Sequence, residues 1–142
     1  MQTFILNMMN SPNLKSDHYT IYDIKLGRVY LSANFIITEF REGVDINFDN
    51  FDEVATLIKI HFENRPFGFI ADRTNSYSID LKDSTKFNSS FPNLKAYAVV
   101  VYKTITERVF EIENHFFKFN RSSFKDLEHA IKWVEETLST EV

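Results

Sequence analysis

The 142-residue chain contains no cysteine, three glycines, three prolines and one tryptophan. Without cysteine it can form no disulfide, thiolate zinc site or cysteine nucleophile. Its glycines, Gly27, Gly43 and Gly68, lie far apart. A phosphate-binding loop or dinucleotide fingerprint needs clustered glycines, because the backbone must approach the ligand closely. Thiol chemistry and these two kinds of nucleotide site are therefore excluded.

The chain also lacks a basic excess and a long apolar run. Its net charge is −4 and its pI is about 5.5, and Lys and Arg are spread along the sequence. Nucleic acids and anionic membranes attract proteins with a basic field. No stretch reaches the roughly 20 apolar residues of a membrane span, and the first residues lack the basic region of a signal peptide. We expect a cytoplasmic protein with no membrane span and no nucleic-acid partner.

Motifs for metal binding or catalysis are missing as well. The four histidines, at 18, 61, 115 and 129, have no metal-ligand spacing. The acidic run from Asp45 resembles the start of a calcium loop, but Asn50 and Thr56 replace the required Gly and Glu. No Gly-x-Ser-x-Gly nucleophile elbow occurs. The sequence predicts a non-enzymatic protein with no metal and no cofactor.

The apolar patterns that the sequence does contain predict one α/β domain over residues 18–142, preceded by an N-terminal arm over residues 1–17. Alternating apolar residues predict strands at His18–Lys25, Val29–Leu31 and Asn34–Arg41, joined as an antiparallel meander. Continuous apolar runs at Phe67–Ala71 and Ala96–Tyr102 are typical of strands covered on both faces. The apolar segment Met1–Asn10 is expected to cover a sheet edge, within its own chain or across a homodimer.

Three capping-box patterns predict helices, at Asn50 with Glu53, Thr104 with Glu107 and Ser123 with Asp126. Apolar residues at helical spacing follow each box. These stripes are Phe51, Val54, Ile58 and Phe62; Ile105, Val109, Ile112 and Phe116; and Phe124, Leu127, Ile131, Val134 and Leu138. The segment Lys82–Asn93 is expected to be a loop with one helical turn, and Phe117–Asn120 a short last strand.

The first candidate site is the polar loop that follows Phe67–Ala71. It contains Asp72, Arg73, Thr74, Asn75, Ser76 and Ser78. Ligands of parallel sheets bind beyond the carboxyl ends of the strands. The Arg73 guanidinium and the neighbouring hydroxyl and amide groups are suited to an anion or a partner's carboxylate, with Asp72 orienting Arg73. Alternatively, Asp72 and Arg73 form an exposed pair or cap a helix, and the serines only satisfy turn amides.

A second candidate is an apolar pocket lined by Phe87 and Phe91. These two rings lie in the uncertain segment beside the polar loop, whereas the other aromatic residues fall mostly on predicted strands and helical stripes. The alternative interpretation is that both rings close the edge of the core.

Three segments resemble a known group of proteins: Phe35–Gly43 (FIITEFREG), Ile70–Ser78 (IADRTNSYS) and Phe124–Trp133 (FKDLEHAIKW). They are similar to the SpoIIAA-like group of the STAS superfamily, especially to small uncharacterised members from Bacteroidetes. The resemblance covers roughly His18 to Glu136. It implies a SpoIIAA-like mixed sheet of about five strands, with three to four helices packed on it. It also implies a bacterial regulatory or protein-interaction module rather than an enzyme.

The resemblance also suggests regulation. In STAS anti-sigma antagonists, a serine after a central strand is phosphorylated to control partner binding. Here the corresponding hydroxyls are Thr74 and Ser76, in an Asp72-Arg-Thr-Asn-Ser sequence where those proteins have an Asp-Ser-Ser-Gly motif. The expected partner is an unknown protein. The alternative function, also suggested by relatives of the group, is a small carrier of an apolar or amphipathic ligand.

Overall fold

The computed structural model describes residues 19–140 and the backbone of residues 5–7. The strands are β1 (Ile5–Asn7), β2 (Thr20–Ile24), β3 (Gly27–Leu31), β4 (Phe35–Phe40), β5 (Asp45–Ile46), β6 (Phe67–Asp72), β7 (Ser78–Ile79), β8 (Leu94–Val100) and β9 (Arg121–Phe124). The helices are α1 (Asp52–Phe62), α2 (Ser84–Ser90), α3 (Thr104–Glu113) and α4 (Leu127–Ser139), and a 3-10 turn covers Leu81–Asp83.

Most strands belong to one mixed sheet. In the described residues it has seven strands in the order β1-β2-β3-β4-β6-β8-β9. The first four form an antiparallel meander, and β4, β6, β8 and β9 are parallel neighbours. Strands β5 and β7 make a separate two-stranded parallel pair. This arrangement confirms the predicted α/β fold class with its N-terminal meander, although the sheet has more strands than the five expected.

Helices cover both faces of the sheet. Buried residues of α1, α2 and α3 contact one face, in a core that includes Val54, Phe87 and Phe110. Helix α4 covers the opposite face with Leu127, Ala130 and Val134. Every residue of β6 is buried. The continuous apolar run in β6 therefore reflects coverage on both faces, as predicted.

Close packing between α4 and β6 requires a glycine. A Cβ added at Gly68 would lie 2.3 Å from Cγ1 of Val134 and 3.4 Å from Cβ of Phe35. The first distance is far inside van der Waals contact, so a larger residue would push α4 away from the sheet.

Several predicted boundaries were wrong. Strand β8 is Leu94–Val100 rather than Ala96–Tyr102, and the last strand is Arg121–Phe124 rather than Phe117–Asn120. Helix α2 forms within the segment expected to be mainly loop. Strand β1 pairs with β2, so part of the predicted N-terminal arm covers that edge in its own chain. The rest of the arm lies outside the described residues.

The predicted capping boxes at α1 and α3 were also wrong. The α1 N-cap is Phe51, and the Asn50 side chain instead bonds to backbone groups of Asn47 and Asp45. The α3 N-cap is Lys103, without a side-chain cap. At α1 a competing local bond of Asn50 replaced the expected cap. At α3 the helix already includes Thr104, so Lys103, whose side chain has no acceptor, is at the N-cap position.

The third box was wrong by one turn. Asp126, not Ser123, caps α4, by accepting a hydrogen bond from the backbone N–H of His129 at 2.8 Å. Ser123 lies within β9. The strand therefore extends further toward α4 than the sequence pattern indicated.

The predicted core stripe of α3 faces solvent. Ile105, Ile112 and Phe116 are exposed, whereas Phe110 and Glu113 are the buried residues of this helix. The periodicity correctly indicated a helix with an apolar side, but that side is not the one packed against the sheet.

Candidate functional site

Asp72 ends the central strand β6 and is buried. The Tyr102 hydroxyl donates a hydrogen bond to Asp72 Oδ1 at 2.7 Å. Burial raises the pKa of Asp72 to about 6; the Tyr102 hydrogen bond opposes this shift and the nearby Glu39 carboxylate adds to it. Asp72 thus belongs to a hydrogen bond that joins β6 to the entrance of α3. The expected pairing of Asp72 with Arg73 was wrong.

Arg73 is also buried, and its guanidinium turns toward α3. Its Nη1 donates to both carboxylate oxygens of Glu113, at 2.9 and 3.1 Å. Its Nη2 donates to the Tyr77 carbonyl oxygen at 3.0 Å, and the group lies 4.4 Å from the centre of the Tyr77 ring. With 4% of its surface exposed, Arg73 is not the exposed cation that we expected.

Arg121, at the start of β9, completes a buried charge cluster with Arg73 and Glu113. Its Nη2 donates to Glu113 Oε1 at 2.9 Å and its Nη1 to Asn114 Oδ1 at 2.7 Å. The guanidinium lies within 5.3 Å of the centres of three aromatic rings, those of Tyr97, Phe110 and Phe117. Two guanidinium groups share one carboxylate, so the cluster carries a net positive charge.

The sequence interpretation missed Glu113 and Arg121. Glu113 is 40 residues from Arg73 along the chain, and no local pattern joins them. One available signal was the position of Glu113 three residues after Phe110, since residues three apart share a helix face. A carboxylate beside a core aromatic residue requires a cationic partner.

The rest of the loop is at the surface. Thr74, Ser76 and Ser78 are exposed and Asn75 is half-buried. Asn75 Nδ2 donates to the Phe40 carbonyl oxygen at 2.9 Å, and the Ser78 hydroxyl donates to Asp45 Oδ1 at 2.7 Å. These bonds attach the loop to the end of β4 and to β5.

Ser76 is held by a short reciprocal contact. Its backbone N–H donates to Glu42 Oε1 at 2.9 Å, and its carbonyl oxygen accepts from the Gly43 N–H at 2.7 Å. The Ser76 backbone therefore lies beside an exposed carboxylate.

Thr74 and Asn75 line an open groove at the carboxyl end of β6. Two cations and two carboxylates also line it, together with one glycine: Arg28, Arg41, Asp23, Glu39 and Gly27. Arg28 Nε donates to Asp23 Oδ1 at 2.9 Å. Arg41 Nη2 donates to the Ile24 carbonyl oxygen at 3.2 Å. The groove is charged but balanced in sign.

An apolar cavity of about 40 Å³ lies in the core, between the sheet and α1 and α2. Phe87 and Phe91 both line it, beside Phe51. Phe51 makes edge-to-face contacts with them, at centroid distances of 5.3 and 5.9 Å. The two rings are therefore part of the core and also border a void. A dry cavity that holds benzene has a volume of about 150 Å³, so this one is small.

Over residues 19–140, no three histidine, aspartate or glutamate side chains are grouped so that they could hold a metal ion. Of the helices in the described part of the chain, none is both long and apolar enough to cross a membrane.

Comparison with known proteins gave a match in structure but not in sequence. No protein-family model and no curated protein matches the chain. A similar solved structure is the crystal structure of an uncharacterised protein of the DUF3478 family, with a SpoIIAA-like fold, from Shewanella loihica PV-4. The TM-score is 0.52, the identity is 13%, and the match covers 94% of this chain and 98% of that chain. The chain has the SpoIIAA-like fold.

The SpoIIAA-like fold confirms the predicted resemblance at the level of structure. In this fold the two hydroxyls predicted as phosphoacceptors, Thr74 and Ser76, are both exposed in the loop after β6. Thr74 lies in the charged groove, whereas the Ser76 backbone contacts Glu42. Their modification and the binding of a partner remain predictions.

Proposed function

We propose that this SpoIIAA-like protein is a cytoplasmic, non-enzymatic regulatory module that binds a protein partner. The contact surface is the loop Thr74–Ser78 at the carboxyl edge of the sheet. The observation that carries the proposal is the anchoring of this loop: Arg73, at its start, is buried and bonded to Glu113. The loop therefore has a fixed base and an exposed surface.

Anchoring matters because a preordered loop loses less conformational entropy on binding. A buried ion pair contributes little net stability, since desolvation of the charges offsets their attraction. The Arg73–Glu113 pair instead serves to hold the start of the loop in a fixed position. Together with the Asn75 and Ser76 bonds to the β4–β5 region, it holds the exposed Thr74 and Ser78 hydroxyls in one arrangement.

The groove next to Thr74 supports a binding site for an acidic group of the partner. Arg28 and Arg41 both line it, and Arg groups bind carboxylates and phosphates with two parallel hydrogen bonds. Asp23 and Glu39 balance these charges in the free protein, so the groove does not attract anions indiscriminately. A partner segment that complements the groove has an acidic side chain for the two arginines. It also has hydrogen-bond donors on either side, for Asp23 and Glu39.

Phosphorylation of Thr74 is the regulatory step that the geometry favours. A phosphate adds about −1.5 to −2 charges. At Thr74 it enters the groove that contains Arg28 and Arg41, and so competes with an acidic partner group. At Ser76 the same charge approaches Glu42, whose carboxylate bonds to the Ser76 N–H, and repulsion opposes it.

The test is affinity capture from a lysate of the source organism on immobilised protein, followed by mass spectrometry. We expect a partner that the wild type retains and the triple variant Thr74→Ala, Ser76→Ala, Ser78→Ala loses. Ser89→Ala, which removes an exposed hydroxyl from α2, is the matched control and retains it. Thr74→Glu weakens capture. Equal retention by wild type and triple variant contradicts the proposal.

A second candidate function, the carrier of an apolar or amphipathic ligand, is favoured by the cavity beside Phe87 and Phe91. Its small volume means that a ligand must displace one wall. Titration with 1-hexanol, followed by methyl NMR, tests this. A carrier gives saturable shifts at the lining residues Ile58, Ile79 and Leu94. Shifts confined to surface methyl groups such as that of Ile60 contradict it.

A further inference from the structure

Helix α3 has an apolar surface that the protein's own core does not use. Together with one residue from each segment that flanks the helix, this surface consists of Tyr102, Ile105, Val109, Ile112 and Phe116, which we call the α3 face. The exposed fractions are 46% for Tyr102, 63% for Ile105, 54% for Ile112 and 41% for Phe116, and Val109 is partly exposed. In the described part of the chain, Ile60 on α1 is the other large apolar residue exposed to this extent. Exposed apolar side chains are therefore concentrated on α3 and the segments directly before and after it.

The spacing within the α3 face alternates between three and four residues. Ile105, Val109 and Ile112 lie within α3 at the a and d spacing of a heptad repeat, which places them in one line along the helix. Phe116 follows in the turn directly after the helix, and Tyr102 lies two residues before its start. The line lies beside the buried side of α3, which is occupied by Phe110 and Glu113. The α3 face thus has the pattern of a helix-packing seam, and within residues 19–140 no other helix is buried against it.

We propose that the α3 face binds the same face of a second copy of this chain, as an antiparallel pair of helices related by a two-fold axis. A two-fold interface uses one self-complementary surface on both subunits. In the antiparallel register Ile105 lies opposite Phe116 of the second copy, and Val109 lies opposite Ile112 of the second copy. Each smaller side chain meets a larger one, which suits interdigitated packing.

The charges beside the seam are complementary in this orientation. Arg108 and Glu111 are exposed on the same outer flank of α3. When two such helices run antiparallel, equivalent flanks face each other. Arg108 of each copy then lies beside Glu111 of the other, on both sides of the two-fold axis. This pairing selects a second copy over an unrelated helix, because one sequence supplies both members of each pair.

The area of the α3 face suits a reversible dimer. From the exposed fractions, its side chains present about 400 Å² of mainly apolar surface, which is the size of the largest apolar patch on a typical monomer, and such patches are often functional. A standard interface buries about 800 Å² per partner, with an apolar centre and a polar rim. The α3 face supplies the centre, and the flanking residues supply the rim. We expect a dissociation constant on the order of 10 μM, since the seam is short.

Analytical ultracentrifugation of the full chain over a wide concentration range tests the proposal. The wild type is expected to change from monomer to dimer as its concentration rises. Ile112→Lys places a charge at the seam and weakens association at least about tenfold. Ile60→Lys is the matched control, because Ile60 is also an exposed isoleucine, at 66% against 54% for Ile112, and lies on another helix; it leaves association unchanged. Circular dichroism checks that both variants are folded.

Disulfide trapping tests the orientation, since the chain has no cysteine of its own. A Val109→Cys protein and an Ile112→Cys protein are mixed with a mild oxidant, and the products are separated by mass. The antiparallel register predicts that the mixed dimer forms in excess over both same-variant dimers. A parallel pair would give mainly same-variant dimers, which would overturn the proposal.

Two results of the sedimentation experiment would also overturn it. One is a monomer at every concentration. The other is a dimer that Ile112→Lys leaves intact, because the interface would then be elsewhere, for instance along a sheet edge.

Discussion

At the scale of single residues, the buried Asp72 carboxyl group couples the fold to pH. Its pKa is raised from 3.8 to about 6, chiefly because burial disfavours the ionised form. The native state therefore binds a proton more tightly than the unfolded chain does. The contribution of Asp72 to stability is therefore fully present below the unfolded pKa, falls as the pH rises from about 4 to about 6, and is lost above that range.

Asp72→Asn is expected to stabilise the protein at pH 7 to 8 by about 2 kcal/mol, because it removes a buried charge. The amide oxygen can still accept the hydrogen bond from Tyr102. Urea unfolding over a pH series measures the effect, and the variant's stability should change less between pH 4 and pH 6. Tyr102→Phe, which removes the donor, should raise the pKa of Asp72 further. An Asp72→Asn protein less stable than the wild type at pH 8 would refute this account.

The Arg73–Glu113–Arg121 cluster predicts an order of effects. Glu113→Gln leaves two buried guanidinium groups without a counter-charge, and should cost about 4 kcal/mol of unfolding free energy. Arg73→Met leaves Glu113 paired with Arg121, with which it also bonds, and should cost about 2 kcal/mol. An exposed pair of Arg73 with Asp72 would instead contribute only about 0–1 kcal/mol to the free energy of unfolding.

Chemical denaturation gives both values, and hydrogen exchange gives a second readout for Arg73→Met. The amides of residues 74–78 should exchange faster in that variant, since their anchor is removed. Lys82→Met, at an exposed position near the same loop, is the control. If Arg73→Met lowers the free energy of unfolding more than Glu113→Gln does, the description of two arginines that share one carboxylate is incorrect.

At the scale of elements, the contact between α4 and β6 depends on Gly68. Gly68→Ala places a methyl carbon 2.3 Å from Val134 Cγ1, and overpacking of this kind costs about 2 kcal/mol. Val134→Ala removes the clashing group but leaves a cavity when made alone. The double variant should therefore be more stable than the sum of the two single effects indicates. Thermal unfolding of the wild type, both single variants and the double variant gives the coupling free energy between the two positions. Strictly additive changes in unfolding free energy would mean that the structure relieves the clash at Gly68 without moving Val134.

Helix α3 shows how a correct pattern can be assigned to the wrong side. The apolar repeat of Ile105, Ile112 and Phe116 correctly predicts an amphipathic helix. Burial instead selects Phe110 and Glu113, because Glu113 is the counter-charge that two buried arginines share. The periodicity specifies that one side is apolar; the neighbours of the helix decide which side faces the sheet.

At the scale of the whole molecule, the sheet is covered by helices on both faces, and β1 covers the outer edge of β2. An unpaired edge exposes backbone donors and acceptors that promote aggregation. A chain without residues 1–7 should therefore aggregate at a lower temperature than the full chain. Light scattering during heating measures this, with a chain lacking residues 141–142 as the control. Equal aggregation temperatures for the two shortened chains would contradict the edge-protection role.

The sequence predicted the meander, the central strands β6 and β8 and the three longer helices, because these follow from local periodicity and turn residues. It also located the polar loop after β6, since an apolar run that ends in polar residues is a local signal. It indicated β1 only as a segment that covers a sheet edge and α2 only as one helical turn, because both are short segments with weak periodicity. It did not predict the true helix caps.

The sequence alone determined the fold class and, through the absence of cysteine and of clustered glycines, the exclusion of thiol chemistry and glycine-rich nucleotide sites. Only the tertiary structure decided that Arg73 is buried, that Glu113 and Arg121 are its partners and that the apolar side of α3 faces solvent. The physical reason is the distance along the chain between residues that interact. Periodicity acts between residues three or four apart, whereas the Arg73–Glu113 pair joins residues 40 positions apart, and its burial depends on how α3 and β9 are placed against the sheet.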